Sequence, residues 1–305
     1  MSRVCEGVAD ETGRDAGGDA VGQGHGHHGQ EGRQVLGGVV PVHVAGYPVD
    51  IERLVDMLEP LGIAVVEDAA HAFPSRLAGG TGRYAGTIGR AGAFSFYATK
   101  TITTGEGGML VTNDQAIATR ARVMSLHGIS RDAWNRYTAS GSWYYEIQDA
   151  GYKYNMTDIA AALGLVQLDR ADELLAARRD LAAAYAARLG EPPVRDLLEL
   201  PDDPSGGSHA WQLYIVRLAL DRLTVDRGGV IDALRALGIG TSVHFIPLHL
   251  HPYYRTRWGY APADLPVAAS EYERVISLPI WPGMTVADVD RVADGLARVL
   301  AAARR

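Results

Sequence analysis

Cysteine is almost missing from this chain: Cys5 is the single thiol in 305 residues. One thiol excludes an internal disulfide framework and fits a reducing, cytoplasmic setting. Long apolar runs are also missing. None approaches the roughly 20 residues needed to cross a bilayer, so no membrane is expected as a partner. The N-terminus lacks the continuous apolar core of a secretory signal. There is no excess of positive charge either: Lys+Arg 29 stand against Asp+Glu 36, a net charge of −7. That balance argues against nucleic acid as a partner, although a local basic patch would still serve a nucleotide-linked ligand. Residues 1–38 contain no Ile, Phe, Tyr or Trp and are crowded with Gly, Asp, Arg and His. Such a segment cannot offset the entropy of ordering and reads as a low-complexity, disordered tract. Its His25, His27 and His28 could catch a transition metal, but the unstructured reading is preferred.

The remainder is ordinary globular sequence, 47% apolar and 21% charged, long enough for two domains. It is organised around Gly92 to Gly108, G-A-F-S-F-Y-A-T-K-T-I-T-T-G-E-G-G. The apolar run Ala91 to Tyr97 delivers one lysine, Lys100, with no charged neighbour before Glu106. Burial disfavours the ammonium form, so a lysine held against apolar walls becomes a nucleophile able to hold a carbonyl as a Schiff base. Upstream, Ile63 to Ala72 reads I-A-V-V-E-D-A-A-H-A. Four apolar residues there suit a buried parallel strand, ending in Glu67-Asp68 where open α/β sheets bind ligands. Taken alone, that carboxylate reads as a helix cap or a metal ligand, and Lys100 as a solvated surface lysine.

The two stretches together resemble the DegT/DnrJ/EryC1/StrS family of pyridoxal-phosphate sugar aminotransferases. The E-D-A-A-H strand end, the S-F-x-x-T-K segment at Ser95, Phe96, Thr99 and Lys100, and G-E-G-G after the lysine carry the likeness. A third motif, Gly151 to Gly164, and a fourth, Gly238 to Arg255, extend it from about residue 39 to the end. The resemblance implies pyridoxal 5'-phosphate as cofactor, with Lys100 as its lysine and proton carrier. It implies Asp68 against the pyridine nitrogen, His71 near the ring, Ser95 on the phosphate, and Asn155 reaching the phosphate of a neighbouring subunit in a homodimer. The implied reaction moves an amino group from glutamate, or a similar donor, to a keto sugar carried on a nucleotide. A non-catalytic or inactive truncated protein on the same scaffold, or a Schiff-base lyase, would be the rival. Family members carry a long segment before the P-V-H-x-x-G stretch seen at Pro41 to Gly46. Its absence leads to the expectation that the sequence begins inside a gene or in a wrong reading frame.

The expected fold is α/β: a fold type I, aspartate aminotransferase-like large domain over 39–178, truncated at its N-terminus, and a small α+β domain over 179–305. A β-α-β unit is expected from strand Val39 to Val44, a helix from Asp50 to Leu61 and strand Ile63 to Glu67. Strand Met109 to Thr112 and helix Asp114 to Leu126 follow. One helix is expected from Thr157 or Asp158 to Leu189, stopped by Gly190 and Pro192-Pro193. Beyond it come strands Trp211 to Leu220 and Thr241 to Leu248, and helices Val230 to Leu237, Val267 to Ile276 and Val286 to Ala303. The aromatic stretch 129–150 reads as a functional or interface loop. Gly79 to Gly86 lacks the spacing of a dinucleotide fingerprint and reads as a turn. His244, His249 and His251 have no nearby cysteine and read as packing or substrate-loop residues, not zinc ligands.

Overall fold

The computed structural model describes residues 37–77, 82–129, 145–203 and 209–305. The low-complexity tract up to residue 36, positions 79–81, and most of the aromatic stretch (Trp134, Tyr137, Trp143 and Tyr144 among it) lie outside these residues.

Asp50 caps α1 (Ile51–Leu58) by accepting from the Arg53 amide, and a 3-10 turn closes at Gly62 with φ 71°. The apolar face of α1 sets Ile51, Leu54, Val55 and Leu58 against Val65 and Ala69. Strands β1 (Gly38–Val39) and β2 (Ala64–Asp68) pair in parallel, as a β-α-β unit requires. The first strand is shorter than expected. Pro41 has no N–H to give a ladder, and its carbonyl instead accepts from the Asp68 amide at 2.9 Å. The chain then turns at Val44–Gly46. Strand β3 (Ala91–Ser95) runs parallel to β2, with Asp68 beside Ala93, and β4 (Gly108–Val111) returns antiparallel. Gly92 has to be glycine: a Cβ there would lie 1.9 Å from the Gly86 carbonyl.

Asp114 caps α2 (Gln115–Ser125). The single helix expected up to Leu189 is two, α3 (Asp158–Asp169) and α4 (Ala171–Leu189). The break is at Arg170, where φ −100° and ψ 3° leave helical geometry and the guanidinium folds back on Glu173. The two helices also differ in burial. Helix α3 buries no residue, whereas α4 buries Leu175, Leu181, Tyr185 and Leu189.

These α4 side chains seal a second sheet, β5 (Leu198–Glu199), β6 (Tyr214–Leu218) and β7 (Val275–Leu278), all antiparallel. Helices α5 (Arg227–Ala236), α6 (Pro252–Trp258), α7 (Pro266–Arg274) and α8 (Val286–Ala302) complete this part. Its core joins Tyr185, Tyr214, Val216, Leu218, Leu234, Ile276, Leu296 and Leu300. Three expectations change here. Strand β6 begins at Tyr214, because Trp211 sits at φ 51°, outside any strand. The helix expected to Ile276 stops at Arg274, because Val275 and Ile276 are buried in β7. Thr241 to Leu248 is not a strand. Ser242 alone pairs there, with Ser277, and Pro247 has no amide to extend the pairing.

Alternation along β2 turns Glu67 inward and Asp68 to the other face. The Glu67 carboxylate is fully buried and accepts four hydrogen bonds. Ile88 N (2.6 Å) and Gly89 N (2.7 Å) reach one oxygen, Gly86 N (2.7 Å) and His43 Nε2 (3.0 Å) the other. His43 Nδ1 accepts from the Val49 amide at 3.0 Å, so its Nε2 carries the proton and donates. Thus the glycine-rich turn offers its amides to a carboxylate of its own chain. Burial alone would raise the Glu67 pKa, but His43 and the amides of Gly89, Gly86 and Ile88 outweigh it and hold it below the usual range. The stabilisation is therefore present above the unfolded-state pKa and lost as pH falls through the folded one. Glu67→Gln turns an N–H₂ toward two donors and should cost about 3 kcal/mol. Urea unfolding at neutral pH measures it, and a loss under about 0.5 kcal/mol would contradict this account.

Candidate functional site

Parallel β2 and β3 end on the same edge of the sheet, so Asp68 and Ser95 emerge there together. The Asp68 backbone is clamped on both sides. Its amide donates to the Pro41 carbonyl, and its own carbonyl accepts from the His43 amide at 3.1 Å. Its Oδ1 accepts from the Ala70 amide at 3.0 Å. The turn that follows carries His71, whose Nδ1 accepts from the Ala45 amide at 3.3 Å. Ser95 Oγ accepts from the Tyr97 amide at 3.3 Å, which leaves the hydroxyl proton free to donate to an anion.

Beyond β3 the chain makes a compact turn, with Lys100 N on Tyr97 O and Thr104 N on Phe96 O, both at 2.9 Å. Thr101 and Ile102 are buried and anchor it, while Lys100 is half-buried. Burial lowers the Lys100 pKa and the Asp68 carboxylate opposes that fall. His71 is pushed down to about 4 by burial, by Lys100 and by His244. Burial and Lys100 also lower the pKa of His244. Lys100, Asp68, His71 and His244 therefore form one electrostatic group.

His244 carries the expectation of a packing or substrate-loop residue. Its Nδ1 lies 2.7 Å from Ser277 Oγ, and the neighbouring Phe245 ring stands 6.0 Å from that of His71. Among the described residues no three His, Cys, Asp or Glu side chains group to hold a metal. Asn155 is placed differently from the other four candidates: its Oδ1 accepts from Lys153, two residues away. Sequence reasoning missed Gln212, whose side chain reaches the Lys100 turn across 113 residues. Nothing local in A-W-Q-L-Y signals that contact.

This donor set fits pyridoxal phosphate. A lysine amine with a depressed pKa suits the aldehyde, a carboxylate suits a protonated ring nitrogen, a neutral imidazole beside them suits the ring, and a free hydroxyl proton suits the phosphate. The parallel register of β2 and β3 brings Asp68 and Ser95 to one strand end, and Lys100 stands near enough to Asp68 and His71 for their charges to interact.

The family model of the DegT/DnrJ/EryC1/StrS aminotransferase family matches residues 32–297. The spore coat polysaccharide biosynthesis protein SpsC of Bacillus subtilis is 46% identical over 259 residues, which are 85% of this chain and 65% of SpsC. A putative sugar aminotransferase from Streptococcus pneumoniae in its PMP form superposes with a TM-score of 0.76 at 30% identity, over 87% of this chain and 69% of that one. The structure of DesI in the presence of its TDP-sugar product superposes with a TM-score of 0.70 at 32% identity, over 85% of this chain and 61% of that one. The fold is thus the fold type I of pyridoxal-phosphate enzymes. The chain spans 65–66% of the length of the curated relatives it matches.

The His71 shift has a readable consequence. Between pH 6.5 and about 4 the unfolded chain binds a proton that the folded site refuses. Stability then falls as pH falls through that window and levels off below it. Going from pH 7 to 5 should cost about 2 kcal/mol through this residue. His71→Gln should remove that part of the acid limb while leaving the part due to His209, which burial pushes down to about 3. Denaturant unfolding at the two pH values checks it; identical acid limbs in both proteins would contradict it.

Proposed function

This chain belongs to the DegT/DnrJ/EryC1/StrS aminotransferase family, and from that premise we propose that it transfers an amino group to a keto sugar carried on a nucleotide, with glutamate as donor. The observation that carries the reading is the single half-buried lysine, Lys100, balanced between apolar burial and the Asp68 carboxylate. Similarity to SpsC, and to a structure solved with a TDP-sugar product, supports a sugar substrate. Pyridoxal phosphate, when bound, supplies the electron sink for the carbon that loses its proton.

Each residue then has a defined part. Lys100 Nζ, eased toward its neutral form, would hold the cofactor aldehyde and serve as the base for the substrate proton. The Asp68 carboxylate would keep the ring nitrogen protonated. His71, neutral at physiological pH, would line the ring site without adding charge. The Ser95 hydroxyl would donate to the phosphate, and Asn155, which accepts from Lys153 in this chain, would reach the phosphate of a second copy. A homodimer suits the exposed apolar surface of α3, where Ile159 is 85% and Leu165 65% accessible, next to the stacked rings of Tyr152 and Tyr154.

Borohydride reduction of protein loaded with pyridoxal phosphate should fix pyridoxyl on Lys100. A label on Lys153 instead would end the assignment. Lys100→Ala should abolish conversion of glutamate to 2-oxoglutarate. In Asp68→Asn the negative charge is gone, and turnover should fall on the order of 10²-fold or more with a smaller loss of cofactor. Near-normal turnover in that variant would mean that another group serves the ring nitrogen.

A further inference from the structure

Two buried polar side chains take no part in the chemistry above. Arg178, on α4, is 3% exposed, and its Nη1 donates to three main-chain carbonyls: Trp211 at 3.0 Å, Ile280 at 3.2 Å and Gln212 at 3.3 Å. A buried guanidinium with carbonyl partners fixes backbone geometry, because each lost contact would leave a desolvated group unpaired. The geometry fixed here is a sharp bend. Trp211 is held at φ 51°, its amide donates to His209 Nδ1 at 2.8 Å, and its ring stacks on that of His209 with centroids 3.9 Å apart. Out of the bend comes Gln212, 5% exposed. Its Nε2 donates to the Thr99 carbonyl at 2.8 Å, and its Oε1 accepts from the Thr101 hydroxyl at 3.3 Å.

Thr99 and Thr101 are the two neighbours of Lys100. We infer that Gln212 is a positioning residue for Lys100: one carboxamide grips both flanks of the lysine, and Arg178 fixes the main chain that presents it. The inference rests on Lys100 being the cofactor lysine. Gln212 does not touch the amine; it restrains the backbone from which Nζ is aimed. A carboxamide is suited to this because one planar head both donates and accepts. Glutamate would keep the acceptor for Thr101 and lose the donor for Thr99, and methionine would keep the length and lose both.

The test uses the full chain and is simplified by composition, since Lys153 is the one other lysine. Trace acetylation across pH, read by mass spectrometry, gives the labelling midpoint of each lysine without cofactor. Borohydride trapping after mixing with pyridoxal phosphate gives the rate of capture. In Gln212→Met we expect a folded protein whose Lys100 midpoint rises by about half a unit or more toward that of a free lysine. Capture at Lys100 should slow about tenfold, while the Lys153 midpoint stays in place. Gln212→Glu should not rescue capture, and Arg178→Lys should move Lys100 in the same direction with Gln212 intact. A folded Gln212→Met protein with an unchanged Lys100 midpoint and capture within twofold of wild type would overturn the inference. So would equal shifts at Lys100 and Lys153, which would mean general loosening. If wild-type protein never captures the cofactor at Lys100, the proposed function fails, while the labelling still decides whether Gln212 restrains the lysine.

Discussion

The Glu67 carboxylate is the constraint on which the N-terminal sheet is built. A buried anion is costly unless every lone pair meets a donor. Here the donors come from two separate stretches, His43 before α1 and the amides of Gly86, Ile88 and Gly89 before β3. Satisfying one charge therefore fixes three segments at once. It also sets the neighbouring residue: with Glu67 turned inward, Asp68 must face the other way, toward the lysine. The close approach of Gly92 to the Gly86 carbonyl belongs to the same arrangement, since a side chain there would push the donor turn away.

The site works by setting burial against charge. Burial draws Lys100 toward its neutral, nucleophilic form, while Asp68 draws it back toward the ammonium. His71 and His244 feel the same lysine and are held below their ordinary pKa. Two imidazoles kept neutral beside one amine leave Asp68 as the carboxylate within the group. Such a division of protonation states is what proton-moving chemistry near neutral pH needs.

The C-terminal part contributes more than an apolar core. Its helix α4 carries Tyr185 and Leu189 into that core and, on the same buried stripe, Arg178. Through Arg178 and Gln212 the packing of this part is transmitted to the turn that bears the lysine. Packed elements of this kind hold a side chain more tightly than a free loop can. The exposed apolar face of α3 is the other departure from an ordinary surface, and it lies next to the Tyr152 and Tyr154 pair.

Local chemistry was legible without coordinates. Asp50, Asp114 and Thr157 cap helices where the sequence places them, because an N-cap depends on a side chain and an amide only two or three residues away. The parallel pairing of β1 and β2 follows from the helical spacing between two apolar runs, and the offsets of Asp68, Ser95 and Lys100 point to one edge of the sheet. Other features depended on partners far along the chain. Arg170 divides an otherwise continuous helical pattern, and of the two helices only α4 finds a core to pack against. Thr241 to Leu248 has the composition of a strand, yet Ser277 offers it a single pairing. Gln212 looks like any residue of an apolar run, and His244 like a packing histidine, until the fold brings them to a lysine more than 100 residues away. The caps, the β-α-β unit and the order of the family motifs were readable along the chain, since these rest on short-range geometry. Where strands stop and what surrounds Lys100 emerge only once the chain folds, because long-range pairing and burial have no local signature.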